Sequence, residues 1–213
     1  MITIESICKY KLAGAFFNFI NSSMMAKAIL YTFFLGIMLG SAGCSSNDSI
    51  QEAADQSVQQ FEQAGVKGME NDALFVAETA SVLMLQEQLA QAASEKAVSP
   101  EVKGLSQQMQ QAHLQMLEEL RQLASTADFV LPSTLGNAQQ NSYQDINDKT
   151  GIAFDLAYIK EMVEQHEKLL ARYKDMAANG KVMEVKQYAS RQVPLIEQHL
   201  ASSERLAESI DNI

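Results

Sequence analysis

Cysteine is nearly absent: the 213-residue chain has two, Cys8 and Cys44, and none beyond them. A domain built from the residues after 44 therefore has no disulfide and no thiolate metal site, and its stability must come from its core. Basic residues are also scarce, 16 Lys and Arg against 26 Asp and Glu. The net charge of −10 repels phosphate backbones and anionic headgroups, which argues against nucleic acid as a partner. The longest apolar run, residues 28–39, falls short of the roughly 20 residues that a spanning helix needs. Beyond residue 44 there is no period-two alternation and no hairpin signal, so a sheet is not expected. No glycine-rich phosphate loop, nucleophile motif or paired-carboxylate motif stands out, and no catalytic residue is assigned.

What is present begins with an address. Met24-Met25-Ala26-Lys27 is a short basic start, residues 28–39 are the apolar stretch, and Ser41-Ala42-Gly43 is a small-residue cleavage region ending at Cys44. Residues 1–43 therefore read as a signal region, and 1–23, which precede a second start, as an over-long gene start or a cytoplasmic extension. The ending at Cys44 resembles a bacterial lipoprotein box, with Ser41 where Leu is usual; ordinary cleavage near Ala42 is the alternative. Lipidation of Cys44 would anchor the chain to a membrane through acyl chains. Removing residues 1–43 takes away Lys9, Lys11, Lys27 and Glu5, leaving 13 basic and 25 acidic residues, a net charge of −12.

Residues 44–70 read as the lipidated cysteine, a polar tether and a short helix over 50–64, interrupted by Gly65 and Gly68. Four long helices follow over 71–213. The first is expected over 71–97 with Asn71 or Asp72 as its cap, and its stripe is Phe75, Thr79, Val82, Gln86, Leu89 and Ala93. The second is expected over 100–127, opened by Ser99 and by Pro100 at the first helical position, with Leu105, Met109, His113, Met116, Leu120 and Leu123 on one face. The third is expected over 151–179, capped by Thr150 and stopped at Asn179-Gly180. Its expected stripe is Ile152, Leu156, Ile159, Val163, His166, Leu170, Tyr173 and Ala177. The fourth, over 181–209, aligns Val185, Ala189, Gln192, Ile196, His199, Ser203 and Leu206, with Pro194 expected to kink it. The very short turn between the first two makes them antiparallel neighbours. The connection over 128–150 is long, and either contains a short helix at 138–146 or crosses the bundle. The fold class is all-α: an antiparallel four-helix bundle with an extra short N-terminal helix and a long connection between its second and third helices.

The chain has three histidines, and all fall on core stripes. His113, His166 and His199 lie about 13, 14 and 18 residues into their helices, and at about 1.5 Å per residue those depths agree to within one or two turns. Gln86 occupies the matching level of the first long helix. Three imidazoles meeting there would suit zinc, copper or iron; three neutral histidines, each bonded to a neighbouring polar group such as Gln110, Glu167 or Gln192, would be purely structural. The eleven methionines are scattered, which suits an adaptable core rather than a thioether copper(I) site.

Four segments, FVAETASVLMLQEQLAQAAS, MQQAHLQMLEEL, FDLAYIKEMVEQHEKLL and VPLIEQHL, resemble the bacterial domain-of-unknown-function 4142 family over about residues 70–208. The resemblance implies a ferritin-like four-helix domain of the cell envelope with no established activity. It makes His113, His166 and His199 the recurring histidines, and Phe154, Asp155, Tyr158 and Pro194 their recurring neighbours. A glutamate common in the family's first helix is Gln86 here, and an acidic residue before the helix-two histidine is Ala112. The positions three before the histidines are Gln110, Val163 and Ile196, so the Glu-x-x-His pattern of di-iron bundles is missing. Asp155, Tyr158, Glu164, Glu167, Glu197 and Gln86 are the further candidates around a histidine-rich site.

The sequence thus leads to a lipoprotein of the bacterial outer membrane, facing the periplasm. The leading functional expectation is a non-catalytic binding or stress-related module engaging an envelope protein or small ligand. The alternative is a metal-binding or redox protein with one ion at His113, His166 and His199. A metal site requires the three imidazoles to lie within about 4–5 Å of one another.

Overall fold

The computed structural model describes residues 48–211, in six helices and, among those residues, no strand. They are α1 (Ser49–Gln63), α2 (Glu70–Lys96), α3 (Pro100–Thr126), α4 (Asn137–Asn147), α5 (Ile152–Asn179) and α6 (Met183–Asp211). The signal region, the early start and Cys44 lie outside the described residues. No helix among the described residues is long and apolar enough to cross a membrane.

Two helical hairpins, α2–α3 and α5–α6, make the bundle, and two buried aspartates lock them together. Asp155, in the first turn of α5 and 1% exposed, accepts from the amides of Val98 (3.2 Å) and Ser99 (2.8 Å) in the α2–α3 turn. Asp72, in the first turn of α2 and equally buried, accepts from Lys181 (2.9 Å) and Val182 (2.8 Å) in the α5–α6 turn. Each carboxylate satisfies amides that a tight turn leaves without helical partners, and each sits where a helix dipole favours negative charge. The two clasps are equivalent: Asp155 follows Asp72 by 83 residues, and Lys181 and Val182 follow Val98 and Ser99 by the same 83.

These contacts also fix direction. The start of α5 meets the end of α2, and the start of α2 meets the end of α5, so α2 and α5 are antiparallel; α3 and α5 run the same way. The 128–151 connection must therefore return along the whole bundle, and it does so with α4 embedded in it, joining the two readings that the sequence left as alternatives. Small hydroxyls receive its backbone: Val130 donates to Ser57 Oγ and Gly136 to Ser81 Oγ, both at 2.8 Å. Phe129 meets Phe61 edge-to-face at 5.0 Å. Asp48 caps α1 through Ile50 and also accepts from Asn137 at the start of α4 (2.9 Å each). Covered by α1 on one side and the crossover on another, α2 is buried almost all round, which is why it is rich in Ala, Val and Leu rather than sharply amphipathic.

The stripes expected on α2 and α3 are buried in full, as is that of α6 except for half-buried Leu206. The α5 stripe is rotated. Ile152 is 64% and Leu156 41% exposed, while Phe154, Asp155, Tyr158, Met162, Leu169 and Met176 fill the core beside Ile159, His166 and Tyr173. The reason is the clasp: turning Asp155 inward carries Ile152 and Leu156 out. The expected caps differ for a related reason. Asp72 is spent on the clasp, so α2 opens after Met69 without a side-chain cap. At α5 the cap position is Gly151, at φ 59°, rather than Thr150. α6 continues through Pro194, whose position on the exposed face leaves the freed Ser190 carbonyl to solvent.

The clasps yield a stability test. Asp72→Asn and Asp155→Asn each place an amide donor against backbone donors and should lower the urea-unfolding free energy by about 2 kcal/mol, against less than about 0.5 kcal/mol for exposed Glu167→Gln. Unchanged midpoints in both aspartate variants would show that the turns do not depend on the carboxylates.

Candidate metal centre

The core is divided. One apolar cluster contains Leu83, Met116, Leu169 and Ile196; the other contains Leu85, Leu89, Met109 and Met162. Between them every long helix places a polar residue: Gln86 on α2, His113 on α3, His166 on α5 and His199 on α6. All four are at most 2% exposed. A layer of nitrogen and amide groups thus lies across the bundle between two methionine- and leucine-lined floors.

Within it the imidazoles converge. His113 Nε2 is 3.2 Å from His166 Nε2 and 3.2 Å from His199 Nδ1, and one nitrogen of each ring lies within 4.8 Å of the other two. The ring centroids are 5.0–5.4 Å apart, and His199 stands edge-on to both others. Donor nitrogens about 2.0–2.1 Å from a tetrahedral ion lie about 3.3 Å apart, so the two 3.2 Å spacings match the edge length of such a site.

Proton counting sharpens the point. His166 Nδ1 lies 2.7 Å from the Met162 carbonyl, which can only accept, so in the neutral ring the proton is on Nδ1 and Nε2 carries a bare lone pair. His113 Nε2 faces that lone pair and His199 Nδ1 together. A proton on His113 serves one neighbour well, and a proton on His199 leaves two lone pairs opposed. His113 Nδ1 has no partner either. A cation at the meeting point would satisfy all three nitrogens, with the His166–Met162 bond orienting its ligand from behind.

Burial, reinforced by mutual repulsion, keeps the rings neutral and their lone pairs free. It pushes His166 down to about 4, a fall that the Met162 hydrogen bond partly opposes, and His199 to about 4, aided by His166. His113 is held well below the ordinary histidine value by burial and by both neighbours.

The other candidates are placed elsewhere. Asp155 is in the end clasp. Tyr158 is two turns from His166 along α5, about 12 Å away; it stacks on Phe154, its hydroxyl has no partner, and burial raises its pKa. Glu164 is half-buried and paired with Lys160 (3.7 Å), Glu197 is paired with Lys174 on the surface (2.8 Å), and Glu167 is exposed. The structure does not bring these three carboxylates to the histidines: positions one or two residues from His166 and His199 on a helix point in other directions. Gln86 alone joins the layer. Two features had no sequence signal, the Met162 carbonyl and the neighbouring ladder in which Tyr173 and Tyr188 hydroxyls meet at 3.3 Å and Tyr188 donates to the Met116 carbonyl at 3.1 Å. Backbone acceptors are invisible in a residue string.

Fold and site together define an all-helical bundle with an interior three-histidine cluster. A family model described as a domain of unknown function, DUF4142, matches residues 48–206, and the chain belongs to that family. Neither the curated proteins nor the solved structures contain a match to the chain.

The lowered histidine values set a pH dependence for the metal-free protein. Between about 6.5 and 4 the unfolded chain binds more protons than the folded one, so stability should be full above pH 6.5 and fall as the solution is acidified. His166 alone contributes on the order of 3 kcal/mol across that window. Urea midpoints at pH 7 and 4.5 should converge in His166→Leu relative to wild type; an equal drop in both proteins would refute the assignment.

Proposed function

We propose that the domain is a metal-binding module in which His113, His166 and His199 hold one transition-metal ion at mid-bundle. The observation that carries this reading is the pair of 3.2 Å nitrogen contacts converging on His113 Nε2, of which the available ring protons can satisfy only one well. An all-imidazole donor set suits zinc, copper or iron, and not the hard cations that need oxygen ligands. The closeness of the three rings favours this function over an unspecified binding module, which permits scattered histidines.

The arrangement is ferritin-like in our reading: two antiparallel hairpins joined by one long crossover, with a site built from inward side chains. It departs from a di-iron carboxylate centre because no glutamate among the described residues joins the three histidines, so ferroxidase chemistry is not part of the proposal. The sequence before residue 48 supports export and lipidation at Cys44. On that basis the proposal includes a location at the outer membrane, facing the periplasm.

Metal analysis by plasma mass spectrometry on the purified protein, with melting curves in zinc, copper and iron, tests the reading. One ion per chain and a metal-dependent rise in melting temperature, both lost in His166→Ala, are expected; a hundredfold excess of ion over its Kd corresponds to about 2.7 kcal/mol of stabilisation. Protein that stays metal-free with an unmoved melting curve would sink the proposal.

A further inference from the structure

Three imidazoles are neutral ligands, and the donor group within 4.8 Å contains them and no carboxylate. A divalent ion there would leave two positive charges uncompensated between two apolar clusters, a costly state unless an anion joins the coordination sphere. Three protein ligands also leave one tetrahedral position free. The ligands come from α3, α5 and α6, so the side they leave uncovered is that of α2.

That side carries Gln86. It is 1% exposed, and neither its Oε1 nor its Nε2 has a partner. Its height is fixed independently of the layering. Thr79 on α2 lies level with Tyr173 on antiparallel α5, beside the Arg172–Glu78 bond at 3.2 Å that ties the same two helices. Seven residues from each, toward the same end of the bundle and on nearly the same faces, are Gln86 and His166. A buried primary amide can donate to an anion and accept from a water in the same place, and such partners would satisfy both of its polar atoms.

A groove lies on the same side of the bundle. It measures about 780 Å³ and lies between α1, α2, α4 and α5, and its lining includes Val82, Gln165 and Leu169. Val82 is one turn from Gln86, and Gln165 and Leu169 flank His166. Gln86 and His166 are themselves at most 1% exposed, so the site has room only for a very small ligand.

We propose that the metal's fourth position is exchangeable, that it takes a small anion of hydroxide or azide size, and that Gln86 is the hydrogen-bonding partner that positions this anion. The inference rests on the metal reading above. Ligand exchange is the only chemistry it requires: azide enters as water or hydroxide leaves, with no change of oxidation state.

The test uses the full-length protein loaded with copper(II) and titrated with sodium azide, following the azide-to-copper charge-transfer band and measuring metal content in parallel. Wild type should develop a saturable band at one copper per chain. Gln86→Leu should keep its copper and its helical circular dichroism but bind azide at least tenfold more weakly. Gln86→Glu, which supplies its own anion, should keep copper and lose the band. Copper bound with no azide band in wild type would overturn the open position while leaving the metal site standing. Equal azide affinity in wild type and both variants would overturn the role of Gln86. Copper retained at no site in wild type would overturn both readings together.

Discussion

Neutral nitrogen packed against neutral nitrogen is the constraint around which this bundle is arranged. Three imidazoles lie in contact in a space from which water and carboxylates are largely excluded, and the one proton that geometry places points away into the Met162 carbonyl. Such a layer is unfavourable by itself: desolvated polar atoms lose their water bonds and gain too few in return. The rest of the core offsets the cost. Apolar clusters close the layer on both sides, with adaptable methionines at 109, 116 and 162 among their buried residues, and the tyrosine ladder adds hydrogen bonds further along the bundle.

The crossover follows from the same arrangement. Because α3 and α5 run in one direction, the chain must travel back along the bundle, and that return segment covers α2. The helix that supplies no histidine is thus the most deeply enclosed. Its Gln86 is held in an environment that solvent cannot satisfy, and its Ser81 and the Ser57 of α1 are given over to the passing backbone.

Much of this was legible in the sequence. Pro100 after Ser99 marks the start of α3, the apolar stripes of α2, α3 and α6 are the buried faces, and counting residues from helix starts puts His113, His166 and His199 at similar depths. The α5 face was not legible, because Ile152, Phe154, Leu156, Tyr158 and Ile159 offer apolar residues on several sides and only the Asp155 clasp, a tertiary contact, selects among them. Asp72 misled for the same reason: an aspartate near a helix start reads as a cap, and its amide partners lie 109 and 110 residues away. Glu164, Glu167 and Glu197 were near the histidines in sequence, but adjacency along a helix separates side chains rather than joining them. Ring tautomers and backbone acceptors depend on angles that a residue string does not contain.

The paired aspartates have a mechanical consequence. A core of alanine, leucine and methionine resists separation of helices far better than it resists their sliding past one another, since smooth side chains exchange one apolar neighbour for another at little cost. Asp72 and Asp155 act as dowels at opposite ends, each fixing the axial offset of one hairpin against the other. Asp155 stands 11 residues from His166, about 16 Å along the axis, yet it determines whether the rings of α5 and α3 meet on the same rung. Alignment of the nitrogen layer is thus set at the ends of the bundle, and the middle inherits its tolerance from them.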